Sequence, residues 1–198
     1  MRIIAGELKG RRLKTPDWAG LRPTSDRLRE TLFNILAPRI TRARVLDGYA
    51  GTGAVGIEAL SRGAAHVTFV EQDRRAVRLI ETNLRALGVT SRYAIIRAGF
   101  AGTARDLSGP FQIVILDPPY GADELRGALD AAAPLVTEET LLVVEHATRD
   151  AAPDATATLV RTREVKQGDS TLTFYNRQSP NRPIANRQSP IGSRGADV

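Results

Sequence analysis

The chain has no cysteine. Disulfides, thiolate metal sites and cysteine nucleophiles are therefore excluded. Histidine is nearly absent too: His66 and His146 stand far apart in sequence and give little basis for a zinc site or a catalytic triad, so no metal is expected. No stretch approaches the roughly 18 uninterrupted apolar residues of a membrane helix. The start, Met1-Arg2-Ile3-Ile4-Ala5-Gly6-Glu7, has no signal-peptide core before its first acid. A cytoplasmic location without membrane association is the expectation. Chemistry must then run on carboxylates, backbone groups or a cofactor. What is present is 198 residues with 42% hydrophobic content, enough for one sizeable core with a small appendage, read as a monomer.

The net charge of +6 is unevenly placed. Residues 1–30 carry Arg2, Lys9, Arg11, Arg12, Lys14, Arg22, Arg27 and Arg29 against four acids, a net +4, and residues 176–198 carry +3, which leaves the middle at about −1. A basic end attracts polyanions and gives a salt-dependent affinity for phosphates.

The first 16 residues alternate apolar and basic groups around Gly6 and Gly10, a pattern that suits an extended hairpin lying on another surface. After the N-cap types Thr24-Ser25-Asp26, residues 27–36 place Leu28, Leu32, Ile35 and Leu36 on one helical face with arginines on the wet side. Pro38 is expected to end that helix. A strand and helix rhythm follows: 44–47 then 54–62, 67–71 then 74–87, 93–97 then a short helix, 111–117 then 123–133, and 140–146. Such alternation argues for a parallel sheet covered on both faces. Residues 158–165 and 171–176 flank Gly168-Asp169 and read as an antiparallel hairpin at the sheet edge. The division expected is 1–38 as a basic hairpin and helix appendage, 39–176 as the main domain, and 177–198 as a disordered tail; Asn-Arg-Gln-Ser-Pro occurs at 176–180 and again at 186–190.

Asp117-Pro118-Pro119-Tyr120 closes the apolar run 111–116. Two successive prolines remove two N–H donors and fix φ, so the carbonyls there have no ladder partners and point outward in a preset geometry. A carboxylate beside a free carbonyl is an acceptor site for an amine. The ring that follows offers a face on which a base stacks, worth roughly 1–3 kcal/mol. Alone, the tetrapeptide does not choose among adenine, cytosine and guanine.

Residues 45–56 read Val-Leu-Asp-Gly-Tyr-Ala-Gly-Thr-Gly-Ala-Val-Gly, with Gly51, Gly53 and Gly56 in the G-x-G-x-x-G spacing and Glu71 at the end of the next strand. Both features fit any adenosine-containing cofactor, so an NAD-dependent oxidoreductase is one reading. Asp47, however, would repel a pyrophosphate and suits a cationic ligand such as S-adenosylmethionine.

The chain resembles the class I S-adenosylmethionine methyltransferases, and within them the RsmD family of 16S ribosomal RNA guanine-N2 methyltransferases. The resemblance rests on Arg2-Ile3-Ile4-Ala5-Gly6 with Gly10-Arg11-Arg12, on Arg22-Pro23-Thr24-Ser25-Asp26-Arg27 running to Glu30-Thr31-Leu32-Phe33-Asn34, on Leu46-Asp47-Gly48-Tyr49-Ala50-Gly51-Thr52-Gly53, and on Asp117-Pro118-Pro119-Tyr120. It implies an α/β Rossmann-like fold with a mostly parallel seven-stranded sheet, an antiparallel C-terminal hairpin and a small N-terminal appendage. Asp47, Tyr49, Gly51, Gly53, Glu71 and Gln72 would then hold the cofactor, with adenine contacts from Gly99 and Phe100. Asp117, Pro118, Pro119 and Tyr120 would hold the guanine amine. Arg11, Arg12, Lys14, Arg22, Arg27 and Asn34 would meet 16S ribosomal RNA within a small-subunit particle. Rival readings are an adenine-N6 methyltransferase acting on DNA or RNA, which shares the tetrapeptide, and a non-catalytic RNA-binding module.

Overall fold

A computed structural model of the protein describes residues 1–18 and 25–178. Seven strands form one sheet: β1 Arg44–Asp47, β2 His66–Val70, β3 Tyr93–Ile96, β4 Ile113–Leu116, β5 Leu141–Ala147, β6 Leu159–Gln167 and β7 Ser170–Arg177. Their order is β3-β2-β1-β4-β5-β7-β6. Pairings among β1 to β5 are parallel, whereas β7 runs antiparallel to both β5 and β6. The chain fills one half of the sheet and then crosses to the other, so the order reverses between β1 and β4. Ligands of open α/β sheets bind at that reversal, outside the carboxyl ends of the strands.

Burial on both faces explains the apolar strands. All four residues of β4 are buried. On one face the core includes α1 Asp26–Ile40, α2 Ala54–Ser61 and α3 Arg74–Leu87, which contribute Leu32, Phe33, Ile57, Ile80 and Leu84. On the other face α4 Phe100–Thr103 and α5 Ala122–Ala132 pack through Phe100, Leu125 and Leu129. The ends of α3 match the expectation because both are marked locally. Asp73 caps the first turn by accepting from Arg75 N, and Gly88 adopts the left-handed conformation that closes the last. Among the described residues, no helix is long and apolar enough to cross a membrane.

Two expectations about α1 are corrected. The helix continues through Pro38 to Ile40. Pro38 forfeits one helical hydrogen bond, about 1 kcal/mol net, whereas fully burying a side chain such as that of Ile40, which is 4% exposed, stabilises by about 1.5–3 kcal/mol. Arg29, expected on the wet side, is fully buried. Its Nη2 donates to Asp26 Oδ1 at 3.0 Å and to Arg2 O at 2.5 Å, and its Nε lies 3.9 Å from Glu58 Oε2.

Glu58 on α2 is itself fully buried. Its carboxylate accepts from the backbone N–H of Ile4 at 2.8 Å and of Ala5 at 3.0 Å, and from Arg62 Nε at 2.7 Å. The N-terminal segment is thereby held on the helices as an antiparallel pair bridged at Arg2 and Arg12, with Ile3 and Leu13 buried in the core. Gly6, at φ +87°, lies so close to α2 that a Cβ there would stand 1.9 Å from Ser61 O.

Removing one partner of a buried ion pair costs about 3–5 kcal/mol, because the other charge is left stranded. Glu58→Ala is expected to lose that much stability in urea unfolding, and adding Arg29→Met is expected to recover part of it. Strictly additive losses would show that the two side chains are not coupled.

Candidate active site

Every strand that reaches the sheet's carboxyl edge near the β1–β4 reversal delivers a side chain or loop into one cleft of about 700 Å³, the size range of small-molecule sites. β1 ends at Asp47 and turns into 48–53, where Gly51 and Gly53 take φ of +52° and +75°. At Gly48 a Cβ would stand 2.4 Å from Leu116 Cδ2 and 3.0 Å from the Phe100 ring, so only glycine fits between β4 and α4. The loop is fastened at both ends: Gly56 N donates to Asp47 Oδ2 at 2.9 Å and Gly51 N to Glu71 Oε2 at 2.8 Å. Glu71 Oε1 accepts from Asp73 N at 2.7 Å. An ionised carboxylate has about four acceptor positions, so Glu71 keeps capacity for two hydroxyls.

Asp47 is 4% exposed. Its carboxyl is pushed up from 3.8 to about 7, chiefly by burial; the Gly56 N–H opposes the shift and the Glu71 charge adds to it. Asp117 follows β4 directly, and its carboxyl is raised well above the ordinary value by burial first, then by the charges of Glu145 and Asp47. Pro118 is buried while Pro119 is exposed. Tyr120, 39% exposed, stands at the mouth with its hydroxyl 3.4 Å from Ser170 Oγ.

The cleft brings together eleven of the twelve residues expected at the cofactor and amine sites: Asp47, Tyr49, Gly51, Glu71, Gln72, Gly99, Phe100, Asp117, Pro118, Pro119 and Tyr120. Gly53 does not line it: it caps the start of α2 at φ +75°, and a Cβ there would stand 2.9 Å from Ile80 Cγ1. Phe100 is 2% exposed and forms floor beneath Tyr49, their rings 5.4 Å apart at 51°. The sequence reading missed Ser25, the N-cap of α1, as well as Leu32 on α1, Glu145 on β5, and Gln167, Asp169, Ser170 and Leu172 on the closing hairpin. A lone acid inside the apolar run 141–146 was a usable signal for Glu145. The hairpin residues carry no comparable mark.

Of the expected RNA contacts, Arg11, Arg12, Lys14, Arg27 and Asn34 are exposed, and Arg22 lies outside the described residues. Arg27 and Asn34 are seven residues apart and share one stripe of α1. The Lys14 segment reaches the glycine loop through one buried side chain: Asn83 Oδ1 accepts from Lys14 N at 2.8 Å, while its Nδ2 donates to Lys14 O at 3.2 Å and to Thr52 O at 3.4 Å.

S-adenosylmethionine fits these residues. The cleft offers a buried anion for its cationic end, a glycine cradle for close backbone approach, and a free acceptor edge on Glu71 for its ribose. A seven-stranded sheet of this order, with an acid and glycine loop after β1 and Asp-Pro-Pro-Tyr after β4, defines a class I methyltransferase.

The family model described as "Conserved hypothetical protein 95" matches residues 1–176. "Ribosomal RNA small subunit methyltransferase D" of Escherichia coli strain K12 is 37% identical over 185 residues, covering 90% of this chain and 91% of its own length. YlbH of Bacillus subtilis, described as a candidate rRNA methyltransferase, is 34% identical over 90% of this chain and all of its own. The solved structure of yhhF from Escherichia coli, described as a candidate methyltransferase, superposes with a TM-score of 0.80 at 37% identity, covering 90% of this chain and 98% of that one. The chain belongs to the RsmD family.

The folded pKa of Asp47 lies above its unfolded value, so the native state holds an extra proton between about pH 4 and pH 7 and loses stability as pH rises through that window. Asp47→Asn is expected to stabilise the cofactor-free protein at pH 8 by an amount on the order of a few kcal/mol. It is also expected to erase the thermal shift given by S-adenosylmethionine. Calorimetry across pH checks both; a variant less stable than its parent at pH 8 would reject burial as the source of the shift.

Proposed function

We propose that the protein transfers a methyl group from S-adenosylmethionine to the exocyclic N2 amine of a guanine in 16S ribosomal RNA of the small subunit. The observation that carries this reading is the position of Asp117-Pro118-Pro119-Tyr120 in the same cleft as the Asp47 glycine loop. The names of the relatives support ribosomal RNA as the substrate class. The resemblance to the family supports guanine N2.

When bound, S-adenosylmethionine supplies a methyl group already activated by its sulfonium. The residues of this chain then have to orient the acceptor, and positioning supplies most of the acceleration. The guanine amine is conjugated into its ring and weakly nucleophilic. Asp117 and the Pro118 carbonyl, as acceptors, favour its pyramidal, positively charged transition state. The raised proton affinity of Asp117 suits it to hold the proton that leaves the amine. Tyr120 at the mouth stacks on the base. The amine of a paired guanine is held inside a helix, so the target is unpaired or extruded.

Methyl transfer to small-subunit particles from cells lacking this enzyme, followed by nucleoside analysis, is expected to yield N2-methylguanosine. N6-methyladenosine would overturn the base assignment, and no transfer would overturn the activity. Asp117→Ala is expected to lower kcat about 10²–10³-fold while S-adenosylmethionine affinity stays within a few-fold, which separates amine positioning from cofactor binding.

Changing Arg11 and Arg12 together to Ala is expected to weaken RNA binding and to flatten log K against log salt by about two units. An unchanged slope would remove the N-terminal segment from the contact surface.

A further inference from the structure

The solvent face of α3 carries charge that the cleft does not use. Arg74, Arg78, Glu81 and Arg85 fall at i, i+4, i+7 and i+11 and are all exposed, so they form one stripe. At 1.5 Å per residue the stripe runs about 17 Å from Arg74 to Arg85. It begins at the rim of the cleft, since Asp73, the cap of α3, lines the cleft. At its far end it meets the N-terminal segment: Arg11 Nη2 donates to Ala86 O at 2.9 Å, and Lys14 is fixed to Asn83 through its backbone. Arg75, by contrast, is paired with Asp73. Among the described residues, none of Arg74, Arg78, Arg85, Arg11, Arg12 and Lys14 has an acidic partner.

We infer that the α3 stripe is a second RNA-contacting surface, continuous with the N-terminal segment, which grips the phosphate backbone of a double-helical RNA segment beside the target nucleotide. This rests on the RNA methyltransferase reading and adds to it the residues and the kind of RNA. Two features favour a duplex over a single strand. The arginines sit on a rigid helix at fixed spacing, as a regular phosphate row requires. Single-strand binders instead use exposed aromatic platforms, and among the described residues the only exposed large hydrophobic side chain is Tyr120, in the cleft.

The test replaces Arg74, Arg78 and Arg85 with Ala and follows three readouts. On a plain RNA duplex without a methyl acceptor, log K against log salt is expected to become shallower by about two to three units. On an unstructured single strand the change is expected to be smaller. In methyl transfer, KM for the particle is expected to rise about tenfold with kcat held within twofold, and the melting temperature is expected to stay unchanged because the three side chains are exposed. Intact transfer with unchanged slope and KM would overturn the surface. Equal losses on duplex and single strand would overturn the duplex assignment. A shallower duplex slope in a protein that transfers no methyl group would keep the surface and reject the activity.

Discussion

Glu58 is the point at which separate parts of the molecule meet. One carboxylate takes the backbone N–H groups of Ile4 and Ala5, the Nε of Arg62 and the field of Arg29. Burying such an anion costs several kcal/mol, and only a full set of donors offsets that cost. The set is drawn from the N-terminal segment, α1 and α2, so each constrains the others. The basic residues at 11, 12 and 14 keep a fixed place relative to the cleft because their segment is anchored by this charge and by Ile3 and Leu13 in the core.

The cleft follows the opposite rule. Asp47 and Asp117 are withdrawn from water without enough donors to keep their pKa values low. In a purely structural setting apolar residues would serve stability better there. Carboxylates left short of donors in a cleft are acceptors whose demand is met only when a ligand bearing donors or positive charge arrives. The cleft therefore costs stability that the packing of β4, α2 and α5 has to offset.

How far the sequence reveals this arrangement varies with the range of the interactions involved. The parallel strands and α3 are legible because their signals are local: uninterrupted apolar runs, the Asp73 cap, Gly88. The glycine loop and Asp-Pro-Pro-Tyr are legible because their chemistry is written in adjacent residues. Arg29 and Pro38 are misread because the deciding partners lie elsewhere, Glu58 at 29 positions beyond Arg29 and the core around Ile40. The wall formed by Gln167, Asp169 and Ser170 arises only when β7 inserts between β5 and β6, and nothing in those polar residues announces it.

Asn83 joins the backbone of Lys14 to that of Thr52 through a single side-chain amide that is 1% exposed. If the Lys14 segment lifts away, this amide is left buried and half satisfied; if the glycine loop opens, it loses its other contact. Local opening of either element therefore carries part of the cost of opening the other, and the two belong to one cooperative unit of native-state fluctuation. A ligand that quiets one of them lowers the entropy still to be lost in ordering the other, which is a route to linkage between two ligands without any change in the average structure.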